Sequence, residues 1–229
     1  MRVVIAGGHG KIALRLGRLL TERGDVPVGL IRNPDHADDL REHGIEPVLL
    51  DLEHATVEDV VLALDEADAT VFAAGAGPGS GIARKDTVDR GAAVLLADAA
   101  VRAGVRRYLL ISSMGVESVR DGATPEGVDE VFLAYLRAKL AAEEHVRGLD
   151  LDWTILRPGA LTDDPGTGRV RLAPHVDRGD VPRDDVAATL AELLAVPETA
   201  RLVLELTAGD TPVDEAVRAA AQRTSSSSA

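Results

Sequence analysis

The run Val3-Val4-Ile5-Ala6-Gly7-Gly8-His9-Gly10-Lys11-Ile12-Ala13 reads as a buried strand, a glycine turn and the first turn of a helix. No other stretch narrows the possible folds as much, because a strand passing straight into a helix commits the chain to a βα unit. Glycine in the tight turn permits positive φ and lets backbone N–H groups approach an anion with no Cβ in the way. The helix starting near Lys11 turns its unpaired N–H groups and positive dipole end toward the same point. Lys11 adds a formal charge there, and Ala13 keeps the helix close to the strand. The spacing Gly8-x-Gly10-x-x-Ala13 is the pattern that cradles a dinucleotide pyrophosphate, so Gly7, Gly8, His9, Gly10, Lys11, Ile12 and Ala13 form the expected cofactor turn.

Downstream the same rhythm repeats. Apolar strand-like runs at 3–6, 26–31, 47–50, 69–74, 107–112, 151–156 and 202–206 alternate with amphipathic segments at 11–23, 35–43, 56–66, 86–103, 128–147, 184–195 and 213–222. Alternation of this kind requires right-handed crossovers and a parallel sheet covered on both faces. The expected fold is therefore α/β, a Rossmann-type doubly wound parallel sheet flanked by helices. Gly24, Gly44, Gly104 and Gly148 sit just past four of the helices, where a left-handed C-cap is wanted.

With 229 residues and 45% hydrophobic content, the chain is expected to form one domain over 1–223, with a small C-terminal substrate-side region and a frayed tail at 224–229. Two stretches interrupt the alternation, the glycine-rich loop beginning at Gly75 and the region 161–183. Both follow strand carboxyl ends, where open α/β sheets bind ligands. The expected walls of a substrate pocket are thus residues 75–85, 113–130 and 161–183.

Composition excludes several classes. No apolar run approaches the ~20 residues that span a bilayer, and the N-terminus lacks the regions of a signal peptide, so a cytoplasmic location is expected and no membrane partner. Zero cysteines exclude disulfides and thiolate chemistry. A net charge of −13 argues against a nucleic-acid partner. With one Trp, two Tyr and two Phe, stacking platforms are scarce. Apart from His9 in the turn, His36, His43, His54, His145 and His175 show no ligand spacing and read as solvated positions, so no metal is expected.

The nucleotide is read from the end of the second strand. An NAD-selective site places an Asp or Glu there for the ribose hydroxyls. Here Arg32 takes that position with no carboxylate competing, which favours a 2′-phosphate and hence NADPH over NAD. Asp51 and Leu52 follow the third strand, and Ala73, Ala74 and Gly75 the fourth; these positions face the adenine and its ribose. Asp51 is equally suited to capping a helix near Ala55.

Tyr135 and Lys139 are four residues apart and emerge on one helical face. A lysine ammonium beside a phenol stabilises phenolate, and the same lysine can hydrogen-bond a nicotinamide ribose. Such a tyrosine can protonate a reduced carbonyl. Ser112 and Ser113, closing the fifth strand, supply hydroxyls to hold that oxygen. The catalytic set is thus Ser113, Tyr135 and Lys139, with Ser112 and Lys139 also facing the cofactor. Glu143 and Glu144, further along the helix, read as a solvated face.

With these residues in place, nearly the whole chain resembles the short-chain dehydrogenase/reductase superfamily, specifically its atypical, NAD(P)-binding NmrA-like branch. The resemblance is carried by Gly7 to Ala13, Leu30-Ile31-Arg32-Asn33-Pro34, Ile111-Ser112-Ser113-Met114-Gly115, Tyr135-Leu136-Arg137-Ala138-Lys139, Trp153-Thr154-Ile155-Leu156-Arg157-Pro158-Gly159 and Arg183-Asp184-Asp185-Val186-Ala187. It implies an NAD(P)(H) cofactor, with Pro158 and Gly159 near the nicotinamide and Asp185-Val186-Ala187 opening a late helix. Ser113 and Tyr135 stand further apart than in typical dehydrogenases, nearer to the extended members. Three functions stay open: a reductase of a small carbonyl or conjugated substrate, a redox sensor that binds cofactor without turnover, and an epimerase or dehydratase acting on a nucleotide sugar.

Overall fold

The computed structural model describes residues 1–77 and 79–226, with side chains through Gln222. Pro78 of the glycine-rich loop and residues 227–229 of the expected tail lie outside the described residues.

Parallel strands β1 (Arg2–Ala6), β2 (Val26–Ile31), β3 (Glu46–Leu49), β4 (Ala69–Phe72), β5 (Arg107–Ile111), β6 (Asp152–Pro158) and β10 (Leu202–Ala208) form most of a nine-stranded sheet. Its order runs β3-β2-β1-β4-β5-β6-β10, so the chain reverses direction between β1 and β4. That reversal opens the crevice in which doubly wound sheets take their ligands.

The alternation of side chains along β1 divides the core. Val3 and Ile5 join α1 (Lys11–Glu22), α7 (Arg183–Ala195) and α8 (Val213–Ser226), while Val4 and Ala6 join the opposite cluster. On that second face lie α3 (Val57–Ala63), α5 (Ala93–Ala103) and α6 (Glu130–Gly148). Short α2 (Ala37–Glu42) packs Leu40 against Ile31 and Ile45, over Gly29 of β2.

Several expectations change. The region 161–183 is not structureless: β7 (Ala160–Thr162) and β9 (Asp180–Pro182) pair as a second, two-stranded sheet. Between them β8 (Arg169–Ala173) runs antiparallel to β10 and to β11 (Thr211–Pro212), so the main sheet is not purely parallel. The predicted helix 86–103 divides into a π-helical turn Lys85–Ala92 and α5, and is preceded by the short α4 (Ile82–Arg84). Gly24, Gly44 and Gly104 adopt positive φ, whereas Gly148 remains helical and α6 ends at Leu149 in extended backbone. Helix α8 continues to Ser226, so residues 224–226 expected in the tail are helical.

Candidate functional site

At the β1–β4 reversal the glycine turn is packed backbone to backbone. A Cβ on Gly8 would lie 2.6 Å from the Cα of Gly29, and one on Gly7, at φ +77°, would lie 2.7 Å from the Cα of Ala74. Larger residues would push the turn off β2 and β4. Gly8 donates its amide to the Leu30 carbonyl at 3.0 Å, which fixes the turn against β2.

Helix α1 starts behind this turn with no side-chain cap at Gly10 and no acid in its first turn. The first turns of α2, α3, α6 and α7 all carry acids, and the Thr56–Asp59 capping box serves α3. An uncapped, acid-free helix start against a glycine turn fits a pyrophosphate.

A cleft of about 380 Å³ opens beside it, lined by Gly7, His9 and Gly10, by Leu30 to Arg32, by Leu50 to Glu53, by Ala73 to Ala76, and by His36 and Arg84. It lies along the carboxyl ends of β1 to β4, the nucleotide side of the crevice. Nine of the expected cofactor residues line it: Gly7, His9, Gly10, Arg32, Asp51, Leu52, Ala73, Ala74 and Gly75. Four residues of the glycine run do not: Gly8 is packed against β2, and Lys11, Ile12 and Ala13 lie elsewhere. The Lys11 side chain pairs instead with Asp163, and Ile12 and Ala13 pack in the core. Asp51 accepts from the Glu53 amide at 3.0 Å and faces His54, so it closes its own turn and does not cap α3.

Glu53 overturns the expectation that no carboxylate competes for Arg32. Its carboxylate accepts from Arg32 at 3.1 Å, from Arg84 at 2.7 Å and from Thr87 at 2.8 Å. Burial works against its charged form but is outweighed by the hydrogen bonds from Arg84 and Thr87 and by the charges of Arg84 and Arg32, which hold its carboxyl below the ordinary range. Two guanidiniums thus converge on one carboxylate at the cleft. His36, read as solvated, stacks on His9 with centroids 3.6 Å apart, and His9 Nε2 lies 2.6 Å from Asp39.

Across the β4–β5 boundary stands Tyr135, half-buried in α6, its ring 5.8 Å from that of Phe132. Among the described residues no group hydrogen-bonds its hydroxyl. The four-residue spacing brings Lys139 beside it as expected, Nζ lying 5.9 Å from the ring centroid. That ammonium is not free for a ribose: it is buried, donates to the Ile111 carbonyl at 3.0 Å and pairs with Asp89 at 3.3 Å. Ser113 is half-buried and donates to the Met114 carbonyl at 3.1 Å.

Ser112 does not face the cleft. It is buried and its hydroxyl donates to Glu143, which is itself fully buried and not solvated as paired helical charges suggested. Glu143 takes two hydrogen bonds from the buried Arg157, at 2.9 and 2.5 Å. Arg157 also reaches Glu117, at 2.6 Å, in the 3-10 segment Val116–Gly122. Beyond Arg157, Pro158 accepts from the Met114 amide at 3.0 Å, and a Cβ on Gly159 would meet the Gly179 carbonyl at 2.0 Å. Pro158 and Gly159 therefore hold the ends of β5, β6 and β9 together.

Hydrogen bonding from Arg120, opposed by burial and aided by Arg157, lowers the Glu117 carboxyl to about 2. Since a carboxyl depressed on folding stabilises only while ionised, its contribution is full above the unfolded value of about 4.5 and is lost as pH falls toward 2. Glu117→Gln is expected to lower the melting temperature at neutral pH and to converge with the unsubstituted protein near pH 2. Melting profiles that stay parallel across this range would contradict the assignment.

Sequence reasoning missed Glu53, Arg84, Lys85, Asp89 and the role of Glu143. Among the described residues, no group of three or more His, Asp or Glu side chains is placed to hold a metal, and no helix is long and apolar enough to cross a membrane.

The sheet order and the glycine turn at its reversal define a Rossmann-type α/β protein. Residues 7–197 match the model of the NAD(P)H-binding family, and the chain belongs to that family. It is 33% identical to the uncharacterized sugar epimerase YhfK of Bacillus subtilis, over 95% of this chain and 99% of the relative. A Bacillus halodurans structure described as a candidate NAD-dependent epimerase/dehydratase is 33% identical, with a TM-score of 0.87 over 96% of this chain and 99% of that one. ChuY, an anaerobillin reductase from Escherichia coli O157:H7, is 27% identical with a TM-score of 0.77, over 92% of this chain and 98% of that one.

Proposed function

We propose that this protein is an NADPH-dependent oxidoreductase that reduces a small carbonyl or conjugated substrate. The observation that carries the reading is Tyr135, whose hydroxyl has no partner among the described residues and whose ring lies within 6 Å of two lysine ammoniums, at 5.4 and 5.9 Å. In this reading the glycine turn and α1 hold the pyrophosphate, while Arg32 and Arg84 receive the 2′-phosphate in place of Glu53. NADPH supplies the hydride. Ser113 exchanges its bond to the Met114 carbonyl for the substrate oxygen, and Tyr135 donates the proton that completes the alcohol. The reductase activity of the ChuY relative supports the same class of chemistry.

NADPH oxidation against a panel of carbonyl and conjugated acceptors tests this, with saturable turnover on at least one acceptor as the expected result. Tight NADPH binding with no turnover on any of them would instead mark a protein that only senses the cofactor. The epimerase descriptions of the two Bacillus relatives favour a second reading, in which Tyr135 serves as the base at a sugar hydroxyl. Interconversion of a UDP-hexose pair without net cofactor oxidation would select it.

The cofactor preference rests on the balance of two guanidiniums against one carboxylate at the ribose end of the cleft. Removing one charge-assisted contact costs ~1.5–3 kcal/mol, so Arg84→Met is expected to weaken NADPH binding by about 10- to 100-fold with little effect on NADH. Glu53→Gln is expected to tighten NADPH selectively. Calorimetric dissociation constants for both cofactors check this, and equal losses for NADPH and NADH in Arg84→Met would refute the phosphate assignment.

A further inference from the structure

The Tyr-x-x-x-Lys spacing accounts for one charge beside Tyr135, but the structure places three there. The π-helical turn Lys85–Ala92 directs Lys85 and Asp89 into the protein, where they are 9% and 1% exposed. Widened turns of this kind recur at functional sites because they re-aim side chains that a regular helix would send elsewhere. Lys85 Nζ donates to the Gly77 carbonyl at 2.9 Å and lies 5.4 Å from the centre of the Tyr135 ring. Lys139 lies 5.9 Å from that centre and 3.3 Å from Asp89 Oδ1, an oxygen with no hydrogen bond of its own. Asp89 Oδ2 accepts from the Ala76 amide at 3.2 Å.

Each group therefore ties the tyrosine to the glycine-rich loop: Lys85 through Gly77, and Lys139 through Asp89 and Ala76. Among the described residues, Lys85 and Lys139 are the charged groups against the ring, with Asp89 behind Lys139. The 3-10 segment Val116–Gly122 meets Tyr135 with the apolar Val116 and Val119. Two ammoniums and one carboxylate leave a local charge of +1, in a chain whose net charge is −13. Burying two lysines is costly unless their charge is used or paired, and among the described residues only Lys139 has a carboxylate partner.

We propose that Lys85 is a second positioning cation of the Tyr135 centre, unassigned by the Tyr-x-x-x-Lys pattern, and that Asp89 moderates the pair by neutralising Lys139. This rests on the proposed role of Tyr135 as proton donor. When the Tyr135 O–H bond breaks and its proton passes to the reduced carbonyl oxygen, a phenolate remains, its ring within 6 Å of both ammoniums, until solvent returns a proton. Lys85 stabilises that phenolate and, through Gly77, holds the loop beside it.

The chain allows a test that needs neither cofactor nor substrate. It contains two tyrosines, and Tyr108 is fully buried, donates to the Ala93 carbonyl at 3.0 Å and is pushed by burial to ionise at much higher pH than usual. Tyrosinate absorbance in the folded protein therefore reports Tyr135. A unit charge at this distance, in a medium between water and protein interior, is worth about half to one pH unit. Tyrosinate is expected to appear about that much later in Lys85→Met and in Lys85→Gln, at the unsubstituted position in Lys85→Arg, and earlier in Asp89→Asn. Folded Lys85→Gln or Lys85→Met protein whose titration overlays that of the unsubstituted chain would overturn the proposal. A shifted titration in a protein that reduces no carbonyl would keep the cluster and overturn the reductase reading instead.

Discussion

Tyr135→Phe is expected to lower the turnover of NADPH with a carbonyl acceptor by ~10²- to 10⁴-fold, the usual contribution of a positioned general acid. The substitution is well suited to the question because it removes one atom from a ring that is otherwise retained. The ring packs on Phe132 and against the apolar cluster of Val116, Val119, Leu133, Leu136 and Leu140, contacts that phenylalanine keeps. The hydroxyl makes no hydrogen bond among the described residues, so no buried partner is orphaned by its loss. Folding and NADPH affinity should both stay as they are, and the loss should fall on kcat. Stopped-flow hydride transfer under saturating NADPH separates the chemical step from cofactor release. An undiminished rate in the variant would show that the proton comes from another group.

The second large effect concerns stability. Glu143→Leu is expected to destabilise the fold by ~3–5 kcal/mol, because it strands the buried Arg157 guanidinium and the Ser112 hydroxyl. For a chain of this size that corresponds to a fall of roughly 6–20 °C in melting temperature. The same physics gives the opposite result when both charges go: Glu143→Leu combined with Arg157→Met should recover most of the loss, since a buried ion pair is often matched by well-packed apolar residues. Glu117 would keep Arg120 as a partner in that variant. A single substitution costing less than about 1 kcal/mol would mean that Arg157 remains satisfied by Glu117 alone.

Fold and nucleotide cleft were largely legible because both are encoded locally. The continuous apolar run Val3 to Ala6, buried on both faces of the sheet, and the backbone contact of Gly8 with Gly29 arise from short motifs whose side chains have one physical use each. What escaped notice depended on partners far along the chain. Glu143 lies on the same helical face as Leu136, Lys139, Leu140 and Val146, so its burial was readable from the 3.6-residue period, but its partner Arg157 sits on another element. Asp89 falls likewise on a stripe with Val88, Ala92 and Leu96. The π-helical turn that places it has no recognisable sequence signal. Glu53 reaches Arg32 only because β2 and β3 are neighbours, a fact of topology and not of spacing. Short β7 and β9 were hidden because three-residue strands have too little pattern to read.

In the proposed function one crevice holds NADPH and presents it to Tyr135. A crystal structure of the complex with NADP tests it most directly. The pyrophosphate is expected against Gly7 to Gly10, the 2′-phosphate on Arg32 and Arg84 with Glu53 displaced, and the Tyr135 hydroxyl beside the nicotinamide on the β4–β5 side. A nicotinamide turned away from Tyr135, or a ribose lying on Glu53 with both arginines uninvolved, would contradict it.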